Sequence, residues 1–128
     1  MSRPTRGEVW LVELDPTKGQ EMQKTRPAAI IHSTALDNQA LRIIVPITTW
    51  RPKHARWPFI VFLQKSDSNG LDSDSGANTM QLRCVSIDRV VRKLGELAEE
   101  DMKQILAGVA LCIDFAPATG LFTDDEAK

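Results

Sequence analysis

The stretch that decides the fold is residues 18–31, KGQEMQKTRPAAII, in which a polar, glycine-bearing loop runs through Arg26-Pro27 directly into an apolar segment. A short apolar run after a proline is typical of a central strand. A polar loop that ends in a side chain held by a rigid strand is a common way for a small fold to fix a reactive group. The sequence therefore predicts a functional site built around Arg26.

The segments on both sides of this stretch predict further short strands. Alternating apolar and polar residues, or short apolar runs bounded by turn residues, mark predicted strands at residues 8–14, 28–32, 41–49, 58–63, 78–82 and 90–97. Six strands without a β-α-β alternation predict a mainly β (α+β) fold, namely a small antiparallel barrel or sandwich.

Proline and glycine positions add detail to this prediction. Pro46 lacks an N–H donor, which predicts an edge position or a bulge for its strand. The Ser-, Asp- and Gly-rich residues 66–76 predict a mobile loop in which Gly70 and Gly76 adopt positive φ. His32 is expected to mark the end of its strand, because no second histidine is near it in the sequence.

One amphipathic helix is predicted at residues 99 to 112 or 113, at the C-terminal end of the domain. Its apolar stripe follows helical spacing and consists of Met102, Ile105, Leu106, Val109 and Ile113. Its acidic first turn suits the positive end of a helix, whereas Ala98 is a weak N-cap. The stripe is expected to pack on the barrel.

Length and charge predict one domain with an uneven charge distribution. The 128 residues, 42% of them hydrophobic, suffice for a single core. We expect one domain at residues 1–115 and an acidic, flexible tail at residues 116–128. Residues 1–56 carry nine Lys and Arg against five Asp and Glu, and residues 57–128 carry seven against twelve. This asymmetry favours a cationic face for an anionic ligand, or a mixed solvated surface.

The two cysteines and the N-terminus bear on metal binding and location. Cys84 and Cys112 lie in apolar segments without metal-ligand spacing, which predicts buried free thiols and no metal site. The N-terminus has no apolar signal region, and no apolar run approaches the length of a membrane span. A cytoplasmic protein without a membrane partner is therefore expected.

Residues 50–57, WRPKHARW, form the segment most typical of nucleic-acid binding, and we call them the basic aromatic loop. The rings of Trp50 and Trp57 are suited to stacking on single-stranded bases, and the basic residues between them to following the phosphate backbone. A core position also explains either tryptophan, and for each ring it is favoured over stacking.

Few residues in the sequence suit acid–base chemistry, and no GxSxG, HExxH, P-loop or GxGxxG motif is present. What remains is an arginine before a strand and the hydroxyls of Thr48 and Thr49 at the end of a neighbouring one. Arginine donates in a planar fork to phosphate oxygens, so this set suits a phosphodiester. RNA is favoured over DNA, because its own 2′-hydroxyl serves as the nucleophile where no metal activates water.

Several sequence blocks together resemble the PemK/MazF toxin family. They are RGEVWLVELDPTKGQEMQKTRPAAII, RIIVPITT, PFIVFL and QLRCVSIDRVVRKLGEL, followed by the amphipathic helix. The blocks occur in the order of the family and cover roughly residues 6–115. Many relatives have hydroxyl or acidic residues where this chain has Cys84 and Ser86, so the role of that strand is an open question.

The resemblance implies an SH3-like barrel that acts as a homodimer and as the toxin of a type II toxin–antitoxin pair. It implies sequence-specific cleavage of single-stranded RNA, mRNA in particular, without a metal or other cofactor, to give 2′,3′-cyclic phosphate and 5′-hydroxyl ends. Arg26 and Thr48 match the catalytic residues of the family, and Glu21 matches a loop glutamate that helps to hold RNA. A cognate antitoxin with a disordered acidic segment is the implied inhibitor.

The predicted site thus has a catalytic pair and a larger RNA-binding set. For Arg26, stabilising the charge of the transition state is favoured over proton transfer, because a guanidinium is a poor base. The residues predicted to bind RNA are Glu21, Lys24, Thr49, Trp50, Arg51, Lys53, His54, Arg56, Gln81 and Arg83.

Two other functions are compatible with the same features. One is a non-catalytic toxin of similar fold that inhibits a protein such as DNA gyrase, in which binding depends on the C-terminal helix. The other is a degenerate toxin that retains RNA without cutting it and releases it as salt rises. The Arg26-Pro27 and Ile47-Thr48 pairs favour the nuclease.

Overall fold

The computed structural model describes residues 3–115. Seven strands and one C-terminal helix form the fold, and short 3₁₀ turns connect several of them. The elements are β1 (Glu8–Glu13), β2 (Thr25–Ile30), β3 (Leu41–Thr49), β4 (Ile60–Leu63), β5 (Ser75–Asn78), β6 (Arg83–Ser86), β7 (Val90–Glu96) and α1 (Glu99–Cys112).

The strands form one antiparallel sheet in the order β4-β5-β3-β2-β1-β7, and β6 pairs with β3 beside this path. The mainly β fold with a C-terminal helix is therefore confirmed, with β2 in the centre as predicted. The strand ladder leaves β4 and β7 as its two ends, so the hydrogen bonds do not close a barrel. The six predicted strands become seven because residues 75–86 contain two short strands separated by a 3₁₀ turn.

Pro46 lies inside the sheet, so the predicted edge position is wrong. The Ile31 N–H donates to the Ile43 carbonyl at 3.0 Å, so the backbone groups of Ile43 point toward the β2 side. Because successive residues of a strand direct their backbone groups to opposite sides, the other odd-numbered residues in this part of β3 also point toward β2. Pro46 therefore directs its nitrogen to the other side. On that side β3 pairs with β6 through residues 41–44 and with β5 through residues 47–49. The missing donor falls in the gap between these two partners.

The two faces of the sheet carry separate clusters of buried side chains. The cluster that receives α1 consists of Val9, Ala29, Ile31, Val45, Ile47, Leu63, Leu71, Ala77, Met102 and Ile105. The opposite cluster consists of Trp10, Val12, Leu14, Ala28, Ile30, Ile44 and Val85. Strand alternation assigns Arg26 and Thr48 to the face of this second cluster, two residues beyond Ala28 and Pro46.

The segment after β4 differs from its prediction in two places. Gly70 has the predicted positive φ of 70°, whereas Gly76 lies in extended β5. A Cβ on Gly76 would lie 2.7 Å from the Ile60 side chain, so close packing explains this glycine. The strand predicted at residues 78–82 is wrong, because Thr79–Gln81 form a 3₁₀ turn and the Asn78 side chain accepts a hydrogen bond from Met80 N.

Helix α1 begins and ends as predicted. Met102 and Ile105 are buried against the sheet, and Ala98 makes no side-chain cap. Ile113 is 68% exposed, since it follows the last helical residue and leaves the predicted stripe. Within residues 3–115, no helix has the length and apolar character needed to cross a bilayer. The predicted acidic tail at residues 116–128 lies outside the described residues.

The predicted environment of the cysteines is only partly correct. Cys112 is partly buried and its sulfur lies 3.5 Å from the Thr79 hydroxyl, whereas Cys84 is exposed. The difference follows from β6, in which Val85 faces the second cluster and its neighbour Cys84 faces outward.

Candidate active site

Arg26 and Thr48, the two residues predicted to be catalytic, are in contact. The β2–β3 register pairs Ala28 with Pro46, and the same register two residues further places Arg26 opposite Thr48. The Arg26 Nη1 atom lies 3.4 Å from the Thr48 hydroxyl oxygen. Both side chains are half-buried. The pair therefore combines a guanidinium and a hydroxyl at the point where the paired part of the two strands ends.

The loop before β2 holds Arg26 in this position. The Arg26 Nε–H donates to the Gln23 carbonyl at 2.8 Å, and the Leu14 N–H donates to the Lys24 carbonyl at 2.9 Å. Lys24 has a φ of 74°, which is uncommon for a residue with a side chain and turns the loop sharply into β2. With Nε and one Nη1 hydrogen engaged, the guanidinium keeps three N–H donors for a ligand.

A cavity of about 440 Å³ opens on one side of the pair, and we call it the aromatic cavity. Arg26, Thr48, Lys53 and His54 contribute to it, so it joins both predicted catalytic residues to part of the basic aromatic loop. Its other lining residues are Gln20, Met22, Trp57, Phe59, Ile60, Asn78, Met80 and Gln81. A lining that combines cationic donors with apolar, aromatic and amide side chains suits a ligand with a charged backbone and flat, uncharged groups.

A second cavity, of about 200 Å³, shares Arg26 and Thr48 with the first, and we call it the hydroxyl cavity. Arg26, Thr48 and Thr49 line it together with Thr25, Pro27, Ile47, Leu71, Asp72, Ser73 and Ser75. The Arg26–Thr48 contact is therefore shared by two depressions of different chemistry. A single strand that occupies both passes directly over the pair.

Within the basic aromatic loop the two tryptophans have different environments. Trp50 packs edge-on against Phe62 with ring centroids 5.1 Å apart, and its ring lies close to Gly76. Trp57 is 41% exposed and lies parallel to Phe59, at an interplanar angle of 8°. Trp50 is partly buried against Phe62, which is itself 46% exposed, and it belongs to neither buried cluster, so the core explanation does not hold for it. The more exposed ring, and the one that lines the aromatic cavity, is that of Trp57.

His54 is buried at the centre of the basic aromatic loop, with 7% of its surface exposed. Its Nδ1 accepts a hydrogen bond from Arg51 N at 3.1 Å within the 3₁₀ turn Pro52–Arg56. Burial, followed by the positive charges of Lys53 and Arg51, lowers the pKa of His54 below its ordinary value. The ring is therefore neutral at pH 7, and the accepted hydrogen bond puts its proton on Nε2.

A third cavity, of about 290 Å³, receives Glu21, Gln81 and Arg83. Each of these three side chains forms hydrogen bonds with backbone atoms of this protein. Glu21 accepts from Lys18 N at 2.8 Å, and Arg83 donates to the Leu14 carbonyl at 3.1 Å. Gln81 accepts from Met22 N and donates to the Gln20 carbonyl. These contacts shape the loop before β2, whatever these side chains do toward a ligand.

The remaining predicted RNA-binding residues lie outside these three cavities. They are Lys24, Trp50, Arg51 and Arg56. Sequence reasoning missed Met22, Phe59, Asn78 and Met80 of the aromatic cavity and Asp72 and Ser73 of the hydroxyl cavity. No motif marks these residues, because their place depends on how the loops fold over the sheet. Among residues 3–115, no Glu or Asp forms an ion pair with Arg26, and no three His, Cys, Asp or Glu side chains converge as metal ligands.

The fold and the site define a small antiparallel β protein in which an arginine–threonine pair lies between two cavities, one aromatic and cationic. Residues 5–113 match the family model described as the PemK-like, MazF-like toxin of type II toxin–antitoxin systems. The chain belongs to this family.

Individual relatives agree with the family match. The chain is 30% identical over 115 residues to endoribonuclease MazF9 of Mycobacterium tuberculosis, covering 85% of this chain and 95% of the relative. It is 33% identical over 100 residues to endoribonuclease MazF of Staphylococcus saprophyticus, covering 78% and 82%.

Solved structures support the same fold. MazF of Deinococcus radiodurans superposes with a TM-score of 0.76 at 18% identity, covering 89% of this chain and 99% of the other. A mycobacterial endoribonuclease in complex with its cognate antitoxin superposes with a TM-score of 0.70 at 23% identity, covering 89% and 98%. At these identities the superpositions establish the fold alone.

Proposed function

We propose that this chain is the toxin of a type II toxin–antitoxin pair and a sequence-specific endoribonuclease that cuts single-stranded RNA without a metal or other cofactor. The family match and the two relatives named endoribonuclease support this function. The observation that carries the assignment of the site is the contact between Arg26 and Thr48, shared by the aromatic and hydroxyl cavities. A phosphodiester placed over this contact leaves one cavity for each neighbouring nucleotide.

The proposed reaction is an in-line displacement within the RNA. The 2′-hydroxyl oxygen attacks the adjacent phosphorus, the new O2′–P bond forms and the P–O5′ bond breaks. The 2′ proton leaves and the departing 5′ oxygen takes one up, which gives a 2′,3′-cyclic phosphate and a 5′-hydroxyl. The free N–H donors of Arg26 stabilise the negative charge of the phosphorane, and Thr48 adds a hydrogen bond to the same group. The enzyme thus acts chiefly by positioning and charge stabilisation.

Charge and exposure on this side of the molecule support an RNA path along the basic aromatic loop. Arg51, Lys53 and Arg56 are all exposed, and Lys53 reaches the aromatic cavity. These charges favour a polyanion, with mRNA as the proposed substrate, and their attraction weakens as salt rises. An antitoxin with a disordered acidic segment is the proposed inhibitor, because such a segment is complementary to the same charges.

A homodimer is proposed as the working form. Leu111, Ile113 and Phe115 are 54%, 68% and 53% exposed and lie within five consecutive residues at the end of α1. Exposed apolar side chains grouped in this way are typical of surfaces covered in an assembly. Light scattering on the purified chain measures the mass directly, and a monomer at working concentration contradicts the proposal.

The function is tested by incubating the purified chain with a long single-stranded RNA in EDTA and sequencing the 5′ ends of the products. We expect cuts at a short sequence, 5′-hydroxyl ends that need phosphorylation before ligation, and cyclic phosphates on the 3′ side. Cleavage that requires added Mg²⁺, or ends that carry a 5′-phosphate, contradicts the proposed mechanism.

A pair of arginine variants tests the site separately from the function. Arg26→Ala removes the proposed catalytic charge. Arg92→Ala removes the same charge from an exposed position on β7, outside the three cavities. We expect cleavage to be lost only in the first, with both variants folded by circular dichroism. If the two variants are equally active, Arg26 is not part of the active site.

A further inference from the structure

We propose that the aromatic cavity contains a base subsite in which Trp57 stacks on a single unpaired base and His54 donates a hydrogen bond from Nε2 to a keto oxygen of that base. The subsite selects uracil or guanine at one position of the cleaved sequence. This inference rests on the proposed function, because it names a specificity residue of the same site.

The donor character of His54 follows from its hydrogen bond to the loop. The Arg51 N–H donates to Nδ1, and an N–H donor needs an unprotonated acceptor, so the proton of the neutral ring is on Nε2. The Trp50 ring lies edge-on to the imidazole with centroids 5.5 Å apart, and the Trp57 ring lies 6.1 Å away on another side. The orientation of the imidazole is therefore fixed by packing as well as by the hydrogen bond.

We assign the Nε2 atom of His54 to the aromatic cavity, because His54 is one of the residues that line it. Among residues 3–115 it has no hydrogen-bond partner, and it is not sealed from solvent as the buried Nδ1 of His32 is. His54 lines the aromatic cavity although it is more than nine-tenths buried. A fixed donor at the wall of a cavity with no partner of its own is a group that a ligand satisfies.

The surroundings of this donor suit a base better than a phosphate. Arg26 and Lys53 supply charged donors at the same cavity, and these bind phosphate oxygens more strongly than a neutral imidazole does. Besides these charged donors, the cavity is lined by apolar and aromatic side chains, of which Trp57 and Met80 are exposed, and by three amides. The apolar and aromatic residues are Met22, Trp57, Phe59, Ile60 and Met80, and the amides are Gln20, Asn78 and Gln81. Such a lining accepts the flat face of a base, and stacking on an aromatic ring is tolerant of base identity. Discrimination between bases therefore needs a polar atom in the cavity wall. The Gln81 amide is engaged at both ends by Met22 N and the Gln20 carbonyl, and we assign the discrimination to His54 Nε2.

An N–H donor that meets the substituent at C4 of a pyrimidine or at C6 of a purine distinguishes bases with an oxygen there from bases with an amino group there. Uracil carries an acceptor oxygen at C4 where cytosine carries an amino group, and guanine carries an acceptor oxygen at C6 where adenine carries an amino group. An amino group opposite Nε2–H places two donors against each other and leaves both unpaired. The expected preference is thus for uracil or guanine. The shape of the rest of the cavity determines whether the pyrimidine or the purine is preferred.

Two substitutions separate the donor from the structural role of the imidazole. In His54→Asn the side-chain oxygen lies near the place of Nδ1 and keeps the hydrogen bond from Arg51 N, but nothing replaces Nε2–H. In His54→Gln the amide N–H reaches the place of Nε2. Each variant and the wild-type chain are incubated in EDTA with an oligoribonucleotide pool randomised around the cleavage site, and the cut ends are sequenced.

We expect the wild-type chain to prefer U or G at one position, His54→Asn to lose about ten-fold of that preference, and His54→Gln to retain most of it. An unchanged preference in His54→Asn, or an equal loss of rate for every sequence, overturns the subsite and leaves the proposed function standing. If the wild-type chain cuts RNA with no base preference at any position, the subsite is likewise overturned and the proposed nuclease function still stands. A wild-type chain that cuts no RNA overturns the proposed function, and the subsite falls with it.

Substrate analogues test the subsite without changing the protein. In the preferred oligonucleotide the keto oxygen is removed by placing 2-pyrimidinone for uracil or 2-aminopurine for guanine. We expect kcat/KM to fall about ten-fold with wild-type protein and to be unaffected by the replacement in His54→Asn. An equal fall in both proteins assigns the contact to another residue.

Discussion

Arg26 and Thr48 face each other at the end of the β2–β3 pairing, with Nη1 3.4 Å from the hydroxyl oxygen. This distance is at the long limit of a hydrogen bond, so the contact between the two side chains is weak in the free protein. The contact therefore adds little to the stability of the sheet. Under the proposed mechanism it shortens when the reacting group binds, as catalytic hydrogen bonds often do.

The first prediction concerns Thr48. Thr48→Val keeps the shape and removes the hydroxyl, and Thr48→Ser keeps the hydroxyl and removes a methyl group. If the hydroxyl stabilises the transition state, the valine variant loses on the order of 100-fold in kcat and the serine variant much less. Single-turnover cleavage of an oligoribonucleotide in EDTA measures both rates. A valine variant as fast as the serine variant restricts Thr48 to a packing role.

The second prediction concerns the geometry required of Arg26. Arg26→Lys keeps the charge but loses the planar fork and the Nε–H that bonds the Gln23 carbonyl. We expect RNA binding to change by less than about three-fold, because one charge is preserved, and kcat to fall on the order of 100-fold. Binding is measured by fluorescence anisotropy under conditions without turnover. Equal losses in binding and in kcat indicate that Arg26 contributes charge alone.

The third prediction concerns Gln81, whose side chain holds the loop before β2. Its amide bonds Met22 N at 2.9 Å and the Gln20 carbonyl at 2.8 Å. Gln81→Ala removes both hydrogen bonds, at about 1 kcal/mol each in the free energy of unfolding. We expect faster hydrogen exchange confined to residues 18–24 and a higher KM for RNA, because the Gln23 carbonyl of this loop holds the Arg26 side chain.

A glutamine on α1 provides the matched control for this experiment. Gln104 bonds Glu100 on the exposed side of the helix, away from the cavities. Gln104→Ala should leave exchange in the loop and the KM unchanged. If the two variants behave alike, the loop does not depend on Gln81.

The contrast between Arg26 and Gln81 shows what sequence could predict. The Ile47-Thr48 dipeptide lies in a strongly patterned strand, so its element is predictable, whereas the strand predicted at residues 28–32 begins earlier, at Thr25, and includes Arg26. The catalytic roles proposed for Arg26 and Thr48 rest on family resemblance. The Gln81 contact joins residues 59 positions apart in the sequence, and its partners are backbone atoms that any residue supplies. No local pattern encodes such a contact. The edge position predicted for Pro46 is wrong for the same reason. The gap between β5 and β6 that accommodates Pro46 depends on where two distant strands end.

In the basic aromatic loop, too, the sequence predicts the chemical groups of the candidate site but not their environments. Its composition predicted nucleic-acid binding by two rings, and the structure packs Trp50 against Phe62 while Trp57 remains exposed. Composition specifies which chemical groups are present. Which of them face a cavity depends on the fold of the 3₁₀ turn and on the close packing at Gly76.

The fourth prediction concerns the pH dependence of stability through His54. Its pKa is lowered in the folded state by burial and by the charges of Lys53 and Arg51. In the unfolded chain a histidine titrates near pH 6.5, so between the folded-state pKa and that value the unfolded state binds more protons. Stability must therefore fall as pH is lowered through this window.

Comparing the wild-type chain with the His54→Asn variant isolates the contribution of His54 to the pH dependence of stability. Urea unfolding of the wild-type chain and of His54→Asn, from about pH 8 to about pH 5, gives the free energy of unfolding at each pH. His32 and the carboxylates are common to both proteins, so the difference between them reports His54. We expect the wild-type chain to lose stability relative to the variant as pH falls. A difference that is constant with pH contradicts a buried, neutral His54.

The last prediction concerns the loop after β4, which packs against β7 through two glycines. A Cβ on Gly70 would lie 2.0 Å from the Leu94 carbonyl oxygen, and a Cβ on Gly95 would lie 2.3 Å from the Ser68 carbonyl oxygen. Gly70 also has a φ of 70°, whereas Gly7 has a φ of 92° with open space around it. Alanine at these three positions therefore separates backbone strain from a steric clash.

Gly7→Ala introduces strain alone and should cost about 1–2 kcal/mol in the free energy of unfolding. Gly95→Ala introduces a clash with backbone atoms, which cannot rotate away, and should cost about 1–3 kcal/mol. Gly70→Ala combines both effects and should cost the most, at least about 3 kcal/mol. Urea unfolding of the three variants measures this order. A Gly70 variant no less stable than the Gly7 variant would mean that the loop moves away from β7 at little cost, and that the packing of the two glycines does not hold it there.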